Sequence, residues 1–391
     1  MPSKTFTDIP AKPGASSSGR MMNTNIVEKK LSSERLKFLD GMRGIAILLV
    51  LLFHAYVRWP EVVPYGAKFA GNVVLANGWL GVQLFFMVSG FVIFMTLEKC
   101  RSFSDFLIRR WLRLFPAMLI CSVIIFITAS FFHERPAGAV SIRDLLPGLT
   151  FIQPEVWSNL FGTHQGLAEG AFWSLFVEVK FYLIAGLAYF LLGNIGAICA
   201  ILLIFLLVPV EHALAHTHHV EILEWLRSVA IVLDAKHFGW FSAGALYYRY
   251  FTSDRKVYLA CALLVALLAV YMQEGFQGSQ KLIPLLVATL FFSGIVSERV
   301  KTLLSLNVFV FLGFISYPLY LVHENMMVAT IVKVNRFAPD IPLVMLPLFG
   351  ALLVVCIAWL VAKYGEPWLK GKLGWVRSIS RSHRPEGDVG Q

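Results

Sequence analysis

Residues Leu36–Trp59 read LKFLDGMRGIAILLVLLFHAYVRW. An apolar run carries no charge between Arg43 and His54. It is close to the roughly 20 residues with which an α-helix crosses a bilayer. A helix suits that task because it satisfies its own backbone hydrogen bonds in lipid. Arg43 and His54 stand eleven residues apart, about three turns at 3.6 residues per turn, so they share one face with a rise of about 16 Å. Ionisable residues inside a membrane helix mark functional paths by default. The plainer readings are a snorkelling arginine at the cytoplasmic edge and a packing or interfacial histidine near the outer end.

Similar apolar stretches recur outward from this one almost to Lys363. The 391 residues are 57% hydrophobic and only 15% charged, with mean hydropathy +0.69, which leaves too little polar surface for a soluble protein. A membrane β-barrel would show alternating segments of about 10 residues, and none is present. The fold class is therefore an all-α, polytopic membrane helix bundle of about ten spans, expected at roughly 40–58, 79–97, 112–132, 172–191, 194–210, 237–252, 256–273, 281–297, 308–331 and 341–363. With the N-terminus cytoplasmic, inside segments hold roughly 23 basic residues and outside segments about 8, as the positive-inside rule requires. Ten spans put both termini in the cytoplasm. The formal net charge of +10 is explained by these flanking residues, so no nucleic acid is expected as a partner.

Three segments follow: a polar, disordered cytoplasmic tail at 1–34, a transmembrane domain at 35–366, and a basic cytoplasmic tail at 367–391. The first lacks the apolar core of a signal peptide, so the first span should act as an uncleaved insertion signal. The longest outside loop, His133 to Ala171, carries Pro136, Pro147, Pro154, Trp157 and His164. Its aromatic residues point to ordered packing against the membrane face. The five cysteines are scattered without a CxxC pair and read as packing residues. His212–His219, HALAHTHH, lacks a carboxylate or thiol framework, so no metal site is assigned. Walker, HExxH and GxSxG signatures are absent.

Four further segments carry polar groups into apolar surroundings. Gly78–Phe94 brings Gln83, Ser89 and Gly90, where small residues also allow close helix contact. Phe106–Leu119 places Arg109, Arg110 and Arg113 within about one turn at a cytoplasmic helix start. Arginine forks bind phosphate bidentately, whereas orientation and head-group contact are the plainer roles. Phe172–Ile184 sets Ser174, Glu178 and Tyr182 at i, i+4, i+8 as one polar stripe behind Trp173. Glu178 requires a partner in lipid, and a structural ion pair with Arg43 or with a neighbour of Arg109 is the plainer reading. Phe311–Met327 brings Ser316, Tyr320 and His323 close to one face, with Glu324 beyond and Pro318 to bend the helix.

Taken in order, Arg43-x10-His54, SGF at Ser89–Phe91, RRWLRLFP at Arg109–Pro116, FWSLFVEVKFY at Phe172–Tyr182 and SYPLYLVH at Ser316–His323 resemble the acyltransferase 3 family. YGEP at Tyr364–Pro367 resembles its closing motif. The likeness runs over about residues 35–366. Val179-Lys180 stands where the family often has a second acidic residue and a glutamine. The resemblance implies a bacterial-type inner-membrane enzyme that moves an acyl group, commonly acetyl, from cytoplasmic acyl-CoA to a hydroxyl of a cell-surface carbohydrate or glycolipid. Acyl-CoA serves as donor substrate and no bound cofactor is implied; membrane lipids are the other partner.

On this reading Arg43, Arg109, Arg110 and Arg113 hold the phosphates of coenzyme A. His54 acts as general base or as an acyl-histidine nucleophile, with Glu178 orienting it. Ser89, Trp173, Ser174, Tyr182, Ser316, Tyr320 and His323 support the site. A transporter or flippase of a lipid-linked sugar is the first rival, which inverted repeats would favour, and none is found. A membrane sensor or scaffold is the second. The unrelated membrane-bound O-acyltransferase class uses a buried histidine without the early Arg-x10-His pattern.

Overall fold

A computed structural model describes residues 17–214 and 221–376, with side chains described over 36–208 and 224–376. Residues 1–16 and 377–391 of the two expected tails lie outside the described residues, and so do the side chains of His212–His219. Among the described residues every regular element is helical. The main helices are α1 (Ser17–Tyr56), α2 (Gly81–Leu97), α3 (Phe103–Thr128), α4 (Trp173–Leu214), α5 (Glu221–Val232), α6 (Phe238–Ser253) and α7 (Lys256–Met272). They continue with α8 (Leu282–Val296), α9 (Glu298–Leu304), α10 (Asn307–Val322), α11 (Asn325–Phe337), α12 (Leu346–Leu360) and α13 (Glu366–Lys372). The helix of the first span thus begins at Ser17 and contains no proline.

Among the described residues, five helical segments are long and apolar enough to cross a membrane, and six if α9 and α10, bent by 63° at their junction, form one span. The molecule is therefore a polytopic helical membrane protein. Leu191, Leu264 and Leu286 are exposed on its outside, where lipid and not water is the compatible neighbour. One passing segment, Gly170–Val208, is 39 residues long. It breaks at Gly193, whose φ of 76° and ψ of −176° no other residue adopts readily. The two expected spans at 172–191 and 194–210 meet at that break.

Glycine sets the closest helix contacts. A Cβ on Gly44 would lie 2.0 Å from the Phe309 carbonyl oxygen, and one on Gly313 1.9 Å from that of Asp40, so α1 and α10 touch backbone to backbone. The same holds for α2 and α6, where Cβ atoms on Gly90 and Gly244 would lie 2.1 and 2.0 Å from the Phe241 and Met87 carbonyl oxygens. Gly90 therefore serves packing.

The expected ninth span, 308–331, is not continuous. It parts between Val322 and Asn325, leaving His323 and Glu324 at the break. Pro318 sits within α10, upstream of the break. What replaces the helical bonds at the break is the outer loop: Glu169 and Ala171 both bond to residues 324–325. That loop is ordered as expected. Its short helices Leu146–Thr150 and Pro154–Phe161 are joined by the Trp157 indole N–H donating to Thr150 Oγ1 (3.2 Å).

Candidate active site

The tight α1–α10 contact carries His54 to the break after α10. The His54 and His323 rings meet edge to face with centroids 4.6 Å apart. Carbonyl oxygens only accept, so the 2.9 Å contact to Val50 O places a proton on His54 Nδ1. The 2.9 Å contact to Tyr320 O likewise places one on His323 Nδ1. His323 Nε2 is then a lone pair, and it lies 3.3 Å from His54 Nδ1. His54 Nε2 remains free to take a proton, with Glu324 Oε1 3.7 Å away. The other Glu324 oxygen accepts from the Ala171 backbone N–H at 2.8 Å. His323 and Glu324 are almost wholly buried (0% and 3% exposed), so these contacts are shielded from bulk water.

Towards the other end of α1 a cavity of about 80 Å³ opens between α1, α2, α3, α4 and α10. Arg43, Arg110 and Arg113 line it, with Glu178 the carboxylate among them. Ser89, Ser174, Tyr182, Ser316 and Tyr320 complete its polar wall. Helical spacing makes this possible: Arg110 and Arg113 are i,i+3 neighbours and Ser174, Glu178 and Tyr182 follow each other every turn. The guanidinium of Arg110 donates to Thr96 Oγ1 (2.8 Å) and stands over the Tyr182 ring. Arg113 lies 3.8 Å from Glu366 of the YGEP segment and over the Tyr317 ring. Arg43 keeps Asp40 at 3.2 Å.

Glu178 is engaged within this cavity. It accepts from Ser89 Oγ and from Tyr182 Oη, the latter at 2.7 Å. The carboxylate that lies beside His54 is Glu324 and not Glu178 as expected; it is 270 positions from His54, which α-helical spacing on one helix cannot reveal. Tyr320 joins the two centres. Its hydroxyl bonds Ser174 Oγ (2.7 Å) and Ala171 O (2.9 Å), while its carbonyl holds His323.

Two expected residues stand apart. Arg109 pairs with Asp105 at 2.9 Å and is about half exposed, away from the cavity lining. Trp173 packs its ring against Phe86 and His237 and is partly exposed. Residues not singled out from sequence include Thr96, Tyr317 and the outer-loop residues Arg135 and Glu169. Glu169 is buried, and burial together with the neighbouring Glu324 pushes its carboxyl up to about 8, against the pull of Arg135 and Asn325. Among the described residues no group of three or more His, Cys, Asp or Glu side chains is arranged to hold a metal ion.

A histidine pair, one ring buried and one half-buried, and a three-arginine cavity inside several membrane-length helices define an integral membrane protein with an ionisable interior. The chain belongs to the acyltransferase 3 family: the family's sequence model, described as an acyltransferase domain, matches residues 36–363. It is 30% identical over 173 residues to an O-acetyl transferase of Shigella phage Sf6, covering 42% of this chain and 50% of that protein. It is 29% identical over 167 residues to the peptidoglycan O-acetyltransferase OatA of Listeria monocytogenes, covering 40% of this chain and 24% of the relative. With an O-acetyltransferase OatA of Staphylococcus aureus it shares 30% identity over 171 residues, or 40% of this chain and 25% of the relative. The matched part thus spans half or less of the length of each of these relatives. No solved structure matches.

Proposed function

We propose that this chain transfers an acyl group, acetyl in the first instance, from cytoplasmic acyl-CoA to a hydroxyl of a cell-surface carbohydrate in the bacterial inner membrane. The observation that carries this reading is the free Nε2 of His54 beside the Glu324 carboxylate, about three helical turns along α1 from Arg43 in a cavity lined by three arginines. The names of the relatives, O-acetyl transferase and peptidoglycan O-acetyltransferase, support acetyl as the group and carbohydrate as the acceptor class.

Ten crossings follow if α1, α2, α3, the two halves of α4, α6, α7, α8, α9 with α10, and α12 each span once. Both termini are then cytoplasmic. Arg43, Arg110 and Arg113 face the phosphates of coenzyme A as guanidinium forks. The pantetheine arm covers the distance of about 16 Å along α1 to His54. Arg109 takes no part in this cluster and serves the cytoplasmic helix start.

At the outer end the acceptor O–H gives its proton to His54 Nε2 as its oxygen attacks the thioester carbonyl. Glu324, 3.7 Å from that same nitrogen, stabilises the imidazolium so formed by its negative charge. Collapse of the tetrahedral intermediate breaks the C–S bond, and the departing thiolate takes the proton back from His54. The test is mass spectrometry of surface glycans from cells carrying the wild-type or the His54→Ala gene at equal protein level. Loss of an ester-linked acyl mass in the variant is expected, and a wild-type acyl content would reject the proposal.

A further inference from the structure

The outer loop does more than cover the bundle. Residues 324 and 325, at the break after α10, are tied crosswise to residues 169 and 171 at the end of that loop. Glu324 Oε2 accepts from Ala171 N–H at 2.8 Å. One step along, Glu169 Oε2 accepts from both the backbone N–H and the side-chain amide of Asn325, at 3.0 and 2.7 Å. The amide oxygen of Asn325 in turn accepts from Ala137 N–H at 2.9 Å. Arg135 fixes the loop from behind, donating to Ala168 O at 2.7 Å with Glu169 Oε1 at 3.9 Å. Glu169 and Asn325 are each 1% exposed, so these bonds are not shared with solvent. Gly170 lies between the two ties, and a Cβ there would stand 3.0 Å from Glu324 Oε2 and 3.4 Å from Oε1.

We propose that Glu169 and Asn325 are positioning residues which, with the bare backbone of Gly170, aim the Glu324 carboxylate at His54 Nε2. The inference rests on the reading of His54 as the catalytic base. A helix broken at residues 323–324 leaves that carboxylate on a joint with few bonds of its own. The crossed ties replace the missing helical ones and fix which oxygen faces the histidine. A site residue misplaced by about 1 Å can lose about 100-fold in rate, so the ties matter for turnover without touching substrate.

The test uses purified full-length protein in detergent and acetyl-CoA as the probe, with thiol release giving kcat and KM. Glu169→Ala and Asn325→Ala should lower kcat about 10- to 100-fold with KM for acetyl-CoA unchanged. Glu169→Gln keeps an oxygen acceptor for Asn325 and should restore most of the rate. Gly170→Ala removes no hydrogen bond yet crowds Glu324 by a few tenths of an ångström, and should lower kcat about tenfold, again at constant KM. It decides the matter if the two larger changes fail to fold. Wild-type kcat in Gly170→Ala, with His54→Ala inactive, overturns the inference. Activity in His54→Ala overturns the underlying reading instead.

Discussion

Replacing Glu324 by glutamine separates charge from shape at the histidine pair. Glutamine retains an oxygen that can accept from Ala171 N–H, so the fold around the break is preserved. What disappears is a negative charge 3.7 Å from His54 Nε2. At an effective dielectric of about 20, a full charge pair at that distance interacts by about 4 kcal/mol. Roughly half of the imidazolium charge develops in the transition state, so about 2 kcal/mol is lost, a fall of about 30-fold in kcat. The ground-state complex with acyl-CoA does not use this charge, and KM should stay within about twofold. The assay is release of coenzyme A thiol, or transfer of labelled acetyl to a glycan acceptor, by purified protein across a range of acetyl-CoA. An unchanged kcat would refute the pairing of Glu324 with His54, and a rise in KM at constant kcat would move Glu324 into donor binding.

Glu178→Gln should behave in the opposite way: it removes the carboxylate from the arginine cavity, so affinity for coenzyme A by calorimetry should rise while kcat stays within about threefold. Arg110→Ala should weaken that affinity by at least about tenfold and flatten its dependence on salt, since a charge-assisted phosphate contact is lost. Gly44→Val drives a side chain into the Phe309 carbonyl, and should abolish the monodisperse peak in size-exclusion chromatography. Glu169 holds a proton in the folded state up to about 8, whereas the unfolded chain releases it at the ordinary value of 4.5. Its contribution to stability is thus complete below pH 4.5 and is lost as pH rises through about 8. Thermal unfolding of wild type should fall more steeply between about pH 5 and 8 than that of Glu169→Gln, and equal slopes would contradict the assignment.

Much of this site is written in single-helix periodicity. Arg43 and His54 on one face, Arg110 beside Arg113, and Ser174, Glu178 and Tyr182 on one stripe are local relations, and nine of the expected residues line the same cavity. The break at Gly193 was also legible, because a glycine between two apolar runs marks where a helix can turn. The partner of His54 was not. Choosing between Glu178 and Glu324 requires knowing which helices pack, and that depends on Gly44 meeting α10 and Gly313 meeting α1. The interruption of the ninth span was equally hidden. Pro318 drew attention as the bend, but the helix parts further on, where Glu169 and Ala171 reach residues 324–325 from far along the chain. Arg109 shared the basic cluster in sequence and left it in space because Asp105, one turn earlier, holds it on the outer flank.

Donor binding at Arg43 and chemistry at His54 should be separable along α1. The most direct measurement is a paired one on purified His54→Ala: coenzyme A affinity by calorimetry, and transfer of labelled acetyl from acetyl-CoA. Wild-type affinity with transfer reduced to background is the predicted result. Transfer at the wild-type rate, or loss of coenzyme A binding together with activity, would contradict it.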